Sequence, residues 1–133
     1  MPATTTSAWR ILVVDDDPLV CDSLRRMLEV DGRQVALAGS AKEALTICDI
    51  QAFDLIIIDY LMPVMKGDKL ALTIKERYPD KPIIMITADA EKLESLKENP
   101  PGVDLVIGKP FQLDVLREAV SRVLLKHQGP VNT

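Results

Sequence analysis

Apolar residues gather in four uninterrupted runs, and each run stops at residues that carry polar chemistry. Ile11-Leu12-Val13-Val14 stops at Asp15-Asp16, and Leu55-Ile56-Ile57-Ile58 stops at Asp59. Ile83-Ile84-Met85-Ile86 stops at Thr87, and Leu105-Val106-Ile107 leads through Gly108 to Lys109. Continuous, largely β-branched runs suit strands buried on both faces, as in a parallel sheet covered by helices. They predict strands near residues 10–15, 54–58, 83–87 and 105–108, with a shorter strand near 34–38.

Helical spacing fills the intervals. Asp17-Pro18 has the form of a cap and first helical position, and Val20, Leu24, Met27 and Leu28 follow on one face. Ser40 with Glu43 has the form of a capping box, opening a second helix with Ala44, Leu45 and Cys48 on a shared face. A loop through Met62-Pro63 and Gly67 precedes a third helix with a stripe of Leu70, Ile74 and Tyr78. Residues 91–99 contain good helix formers but only Leu93 and Leu96 as large apolar residues, before Pro100-Pro101 stop the helix. A fifth helix is expected over about 112–126, with Leu116, Ala119, Val120, Val123 and Leu124 on one side.

Five strands alternating with five helices predict a doubly wound α/β fold with helices on both faces of a parallel sheet. The flavodoxin-like strand order 2-1-3-4-5 places the switch point between strands one and three, where ligands bind beyond the carboxyl ends. Asp15, Asp16, Asp59, Thr87 and Lys109 then share one edge, with Asp16 and Asp59 facing across the crevice.

Three carboxylates held close together repel, by about 4 kcal/mol per pair at 4 Å and an effective dielectric of 20. Such a site raises a pKa or holds a cation. With oxygen ligands only and no His or Cys beside them, the ion favoured is a hard one such as magnesium. Thr87 can hydrogen-bond a phosphoryl oxygen, Lys109 can neutralise one, and an Asp can itself become an acyl phosphate. Each residue alone has a plainer use. Asp17 suits a helix cap, Thr87 a cap for the next helix, and Lys109-Pro110 a turn into the last helix. Their joint occurrence at successive strand ends is what selects the chemistry.

Composition narrows the picture further. At 133 residues the chain suits one domain, and its net charge of −4 argues against general nucleic-acid binding. No apolar stretch reaches bilayer-spanning length, and residues 1–8 lack the features of a secretory signal, so a cytoplasmic protein is expected. Cys21 and Cys48 fall on helices expected to cover opposite faces, which excludes a disulfide between them. His127, the single histidine, is expected to be solvated. A lead-in over 1–9, a folded domain over 10–126 and a tail or linker start over 127–133 complete the expected organisation.

The chain resembles the receiver domain of two-component response regulators, the CheY-like superfamily. The resemblance rests on residues 11–16, Asp54 to Met62-Pro63 ending in Gly67, Ile84-Met85-Ile86-Thr87-Ala88 and Lys109-Pro110-Phe111. It implies that Asp59 accepts a phosphoryl group from the phosphohistidine of a sensor kinase or histidine phosphotransfer protein. It further implies that Asp16 and Asp59 bind magnesium directly with the backbone carbonyl of Leu61, manganese being able to substitute. Asp15 would act mainly through a metal-bound water, and Thr87 and Lys109 would hold the phosphoryl oxygens. A downstream protein or output domain would dock on the face of the fourth helix, fifth strand and fifth helix. Direct contact with nucleic acid or membrane, and independent substrate turnover, are not expected. Three positions depart from the family's commoner pattern: Val106 where an aromatic often stands, Lys66 in place of a frequent acid, and the small Gly108. They put the usual output switch in question.

Other readings share parts of the pattern. A haloacid-dehalogenase-type phosphatase would use Asp15-x-Asp17 as its Asp-x-Asp, but would leave Asp59 without a role and lack a late acidic pair. A flavodoxin needs a Ser/Thr/Gly-rich phosphate loop after strand one, where this chain has three aspartates. A receiver that binds partners without phosphorylation is disfavoured by the complete set of site residues.

Overall fold

The computed structural model describes residues 9–88 and 99–128, with side chains through Lys126. The expected helix over 91–99 lies, except for Asn99, outside the described residues, as does the side chain of His127. In chain order the elements are β1 (Arg10–Val14), α1 (Pro18–Val30), β2 (Gln34–Ala38), α2 (Ala41–Ile50) and β3 (Leu55–Asp59). Then come α3 (Gly67–Arg77), β4 (Ile83–Thr87), β5 (Leu105–Gly108) and α4 (Leu113–Gln128). Four helices are thus present among the described residues, where the sequence predicts five over the whole chain.

All pairings are parallel, and the sheet order is β2-β1-β3-β4-β5, as expected. Val14 of β1 is level with Ile58 of β3, and Asp59 is level with Ile86 of β4, so the strand ends are staggered by about one residue. Every residue of β3 and β4 is buried. One core layer joins Leu12, Val14, Ile56, Ile58 and Met85 to α2 and α3 through Ala44, Leu70 and Ile74. The opposite layer joins Ile11, Val13, Ile57, Ile84 and Ile86 to α1 and α4 through Leu24, Leu28, Leu116 and Val120. Strand residues alternate between the layers, as the period of two requires. Cys48 belongs to the first layer and Cys21 to the second, both as free thiols.

Local chemistry sets the helix ends. The Asp17 carboxylate accepts the Leu19 amide at 2.9 Å, and Pro18 fills the first turn. α1 closes in a Schellman arrangement: Gly32, at φ 82°, donates to the Glu29 carbonyl, and Arg33 donates to that of Leu28. At α2, Ser40 Oγ accepts the Glu43 amide at 3.1 Å, while the Glu43 carboxylate takes the Gly39 amide at 2.6 Å. The capping box is therefore shifted back by one residue on its return arm. Tyr78, expected on the buried stripe of α3, caps that helix half-buried and donates to Asp49 at 2.5 Å.

Candidate functional site

The strand ends bring the expected carboxylates together. One oxygen each from Asp15, Asp16 and Asp59 lies within 4.8 Å of the others. Asp15 and Asp59 are buried, whereas Asp16 faces solvent. β1 is the reason for this split: Asp15 continues the strand, its amide bonded to the Ala38 carbonyl at 3.0 Å, and Asp16 has turned out of the sheet.

Lys109 reaches back into the crevice from the end of β5. Its Nζ lies 3.3 Å from Asp59 Oδ1 and 3.4 Å from Asp15 Oδ2. The stem is aimed there by the Lys109 amide, which donates to the Thr87 carbonyl at 2.7 Å, and the Lys109–Pro110 peptide is cis. Asp15 Oδ1 is occupied separately, accepting the Asp17 amide at 2.9 Å. Thr87 ends β4 fully buried, one residue past the level of Asp59 and opposite Gly108. Leu61 lies on the exposed connection after β3. All five side chains singled out from the sequence thus stand at neighbouring strand ends on one edge of the sheet.

The electrostatics follow from burial and crowding. Burial first, and then the Asp15 charge, push the Asp59 carboxyl above the usual carboxylate range, against the pull of Lys109. Burial works against the Lys109 ammonium, but the carboxylates of Asp15 and Asp59 outweigh it and raise its pKa. One ammonium against three carboxylates leaves the cluster anionic, and the donors are all oxygen. Both properties fit a hard divalent cation. Magnesium fits this donor set.

Two contacts of the site were not legible as contacts. The Cys21 thiol, one turn into α1, donates to the Asp15 carbonyl at 3.2 Å. Gly67 abuts Asp59: a Cβ at that position would stand 2.5 Å from the Asp59 carbonyl oxygen and 2.8 Å from the Tyr60 Cα. The Gly67 amide also donates to the Tyr60 carbonyl at 2.9 Å, fastening α3 to the end of β3. The spacing of Gly67 behind Asp59 was the available signal for the second contact, and nothing in the sequence marked the first.

Fold and crevice together define an α/β domain of the flavodoxin-like class, with an acidic oxygen cluster at its switch point. The chain belongs to the response regulator receiver domain family, whose model matches residues 11–121. It is 36% identical over 121 residues to the response regulator MprA of Mycolicibacterium vanbaalenii, covering 91% of this chain and 52% of that protein. It is 34% identical over 126 residues to the sensor histidine kinase AruS of Pseudomonas aeruginosa, covering 92% of this chain and 13% of the kinase. The chain thus spans about half the length of that regulator and a small part of that kinase. Among solved structures it is similar to the response regulator TrrA of Thermotoga maritima in complex with Mg(2+)-BeF, at 33% identity and a TM-score of 0.79. That match covers 88% of this chain and 99% of TrrA. Receiver domains are the phosphoacceptor modules of two-component signalling, and the phosphatase and flavodoxin readings fall away. Among the described residues, no helix is long and apolar enough to cross a membrane.

Proposed function

We propose that Asp59 is the phosphoryl acceptor of this receiver and that its donor is a phosphohistidine on a kinase or histidine phosphotransfer protein. The observation that carries the assignment is the place of Asp59: a buried carboxylate at the switch point, flanked by Asp15 and Asp16 and met by Lys109 at 3.3 Å. In the transfer a carboxylate oxygen of Asp59 attacks phosphorus as the donor's P–N bond breaks, and the bonding pair returns to the imidazole nitrogen. Lys109 then neutralises a phosphoryl oxygen as a point charge, and the Thr87 hydroxyl donates to another. Asp16 and Asp59, with the Leu61 carbonyl, would hold the cation, and Asp15, one of whose oxygens is taken by the Asp17 amide, would support it through a water. The charge of a divalent ion held there, magnesium or manganese in its place, would offset that of the incoming phosphoryl oxygens.

The receiver occupies residues 10–126, preceded by a lead-in and followed by a tail or the start of a linker, and works in the cytoplasm. Its output runs to a protein or output domain docked on residues 91–99, β5 and α4, with no direct contact to nucleic acid or membrane. It promotes its own phosphotransfer and dephosphorylation and turns over no independent substrate. Intact-mass measurement after treatment with acetyl phosphate and magnesium tests the assignment. A single phosphoryl adduct is expected, abolished in Asp59→Asn and by chelator. An adduct that persists in Asp59→Asn would move the acceptor to another carboxylate.

A further inference from the structure

On the sheet face that carries α2 and α3, an apolar groove of about 620 Å³ opens between α2 and the connection that follows β3. Its walls include Ala41, Leu45 and Met62, and its outer lip is made by residues 63–65. Val64 on that lip is fully exposed and has a φ of 71°. A β-branched residue is strained in the left-handed region, and a glycine would sit there without strain. Exposed to water, the Val64 side chain offsets none of that strain by packing among the described residues. An apolar side chain held at such a cost over an apolar groove is placed to be covered.

The charges of the groove select what covers it. Lys42 and Arg77 line it with Asp49. A second hollow of about 340 Å³ lies farther along the same α2–α3 seam, shares Asp49 and adds Lys81. The one carboxylate is already satisfied, by Arg77 Nη1 at 3.0 Å and by the Tyr78 hydroxyl at 2.5 Å. Lys42 and Lys81 have no ion-pair partner among the described residues. The seam is therefore net positive on a protein whose own charge is −4. The seam is flanked by helices and offers no open strand edge, since β2 and β5 are the edge strands of the sheet. An extended segment would find no ladder to join, whereas a helix can lay its apolar stripe into the seam.

We propose that the α2–α3 seam is a docking site for an acidic amphipathic helix of a partner protein. Its apolar stripe covers Val64 and fills the groove, and its carboxylates meet Lys42 and Lys81. This site shares no residue with the acidic crevice and does not depend on which carboxylate is phosphorylated.

The test titrates synthetic 18-residue helical peptides into the isotope-labelled full chain and follows backbone amide shifts. One peptide is built from Leu and Glu in amphipathic order, a second replaces its Glu by Lys, and a third replaces its Leu by Ser. Saturable binding of the first alone is expected, with shifts concentrated at residues 39–50, 60–66 and 77–81. Lys42→Glu with Lys81→Glu should weaken it about tenfold, the scale of two exposed charge contacts. Val64→Gly should raise the melting temperature while weakening the peptide, a pairing that a purely structural Val64 would not give. Asp59→Asn should bind the peptide as the parent does, so failure of the acceptor assignment and failure of the docking site leave different signatures. No saturable binding, equal binding of the Lys peptide, or shifts centred on α1 or α4 would each overturn the proposal. Concentration-dependent dimerisation that shields the seam would overturn it too, by giving the groove to a second copy.

Discussion

Gly67 rests directly on the carbonyl oxygen of Asp59, so close that a Cβ there would stand 2.5 Å from it. The obstacle is backbone on both sides, and neither can move aside like a flexible side chain. Gly67→Ala should therefore destabilise the fold by about 1–3 kcal/mol, the usual cost of forcing a methyl group into a filled space. It should also slow phosphoryl acceptance, because the strand end that carries Asp59 must shift. Urea unfolding and adduct formation at saturating magnesium measure the two effects. An unmoved midpoint would mean that α3 slides away at no cost.

The raised pKa of Asp59 makes stability depend on pH in a defined sense. A carboxyl whose folded value lies above its unfolded value stabilises the fold fully below the unfolded value. That contribution is lost as pH rises through the folded value. Ionised Asp59, buried beside Asp15, is thus a burden at neutral pH. Without divalent ions, Asp59→Asn should unfold at higher urea than the parent at neutral pH. The gap should close as pH falls toward about 4, where ordinary carboxylates protonate. An Asn variant less stable than the parent at neutral pH would show that the Lys109 contact outweighs burial.

Lys109 competes with any cation for the same two carboxylates, standing 3.3 Å and 3.4 Å from them. Lys109→Met should tighten magnesium binding several-fold, on the order of threefold to tenfold for a partly screened charge. The same change should shorten the life of a beryllofluoride complex, which loses its cationic partner. Calorimetric titration of both ligands resolves the two directions. Weaker magnesium binding in the variant would give Lys109 a role in positioning Asp59 that outweighs its charge.

Trp9, the only tryptophan, precedes β1 and packs partly buried against the α1–α4 layer. It lies at the amino end of the strand whose carboxyl end leads to Asp15, about 20 Å away at 3.3 Å per residue. Its fluorescence should stay nearly constant while magnesium binding is followed by another probe. Saturable quenching that vanishes in Asp16→Asn would contradict this separation.

Val106 is half-buried in the layer with α2 and α3, and its short, stiff side chain cannot make the inward swing of an aromatic ring. Signal transmission should then run through Thr87, whose carbonyl already holds the Lys109 amide at 2.7 Å. The sequence of residues 91–99 offers only Leu93 and Leu96 as large apolar anchors, so a few kcal/mol of differential interaction should suffice to bias that segment. Hydrogen exchange with beryllofluoride should change most over residues 88–102, and Thr87→Ala should suppress the change. Changes confined to the neighbours of Asp59 would exclude this route.

The parts legible from sequence were those with a strong local signature. The largely β-branched run Ile11 to Val14, stopping at polar residues, suits a strand buried on both faces, and Asp17-Pro18 carried its own cap signature. Because parallel strands line up their carboxyl ends, finding the ends of the apolar runs also located Asp15, Asp59, Thr87 and Lys109. What escaped depended on distances between segments remote in sequence. The pairing of Lys109 with Asp15 as well as Asp59, the Cys21 thiol on the Asp15 carbonyl, and the turn that leaves Val64 at positive φ are of this kind. Tyr78 shows the limit on a smaller scale: helical spacing placed it on the α3 stripe, but the helix ends one residue earlier and frees its hydroxyl for Asp49.

The order β2-β1-β3-β4-β5 also bears on how the chain acquires its shape as it leaves the ribosome. β2 is laid against one side of β1 and β3 against the other, after which β4 and β5 each extend the same growing edge. No strand has to be threaded between two that are already paired. Each parallel pairing still closes a long loop, which makes the process slow, but every new strand meets a partner synthesised before it. Vectorial folding, amino end first, therefore follows the sheet's own order of assembly.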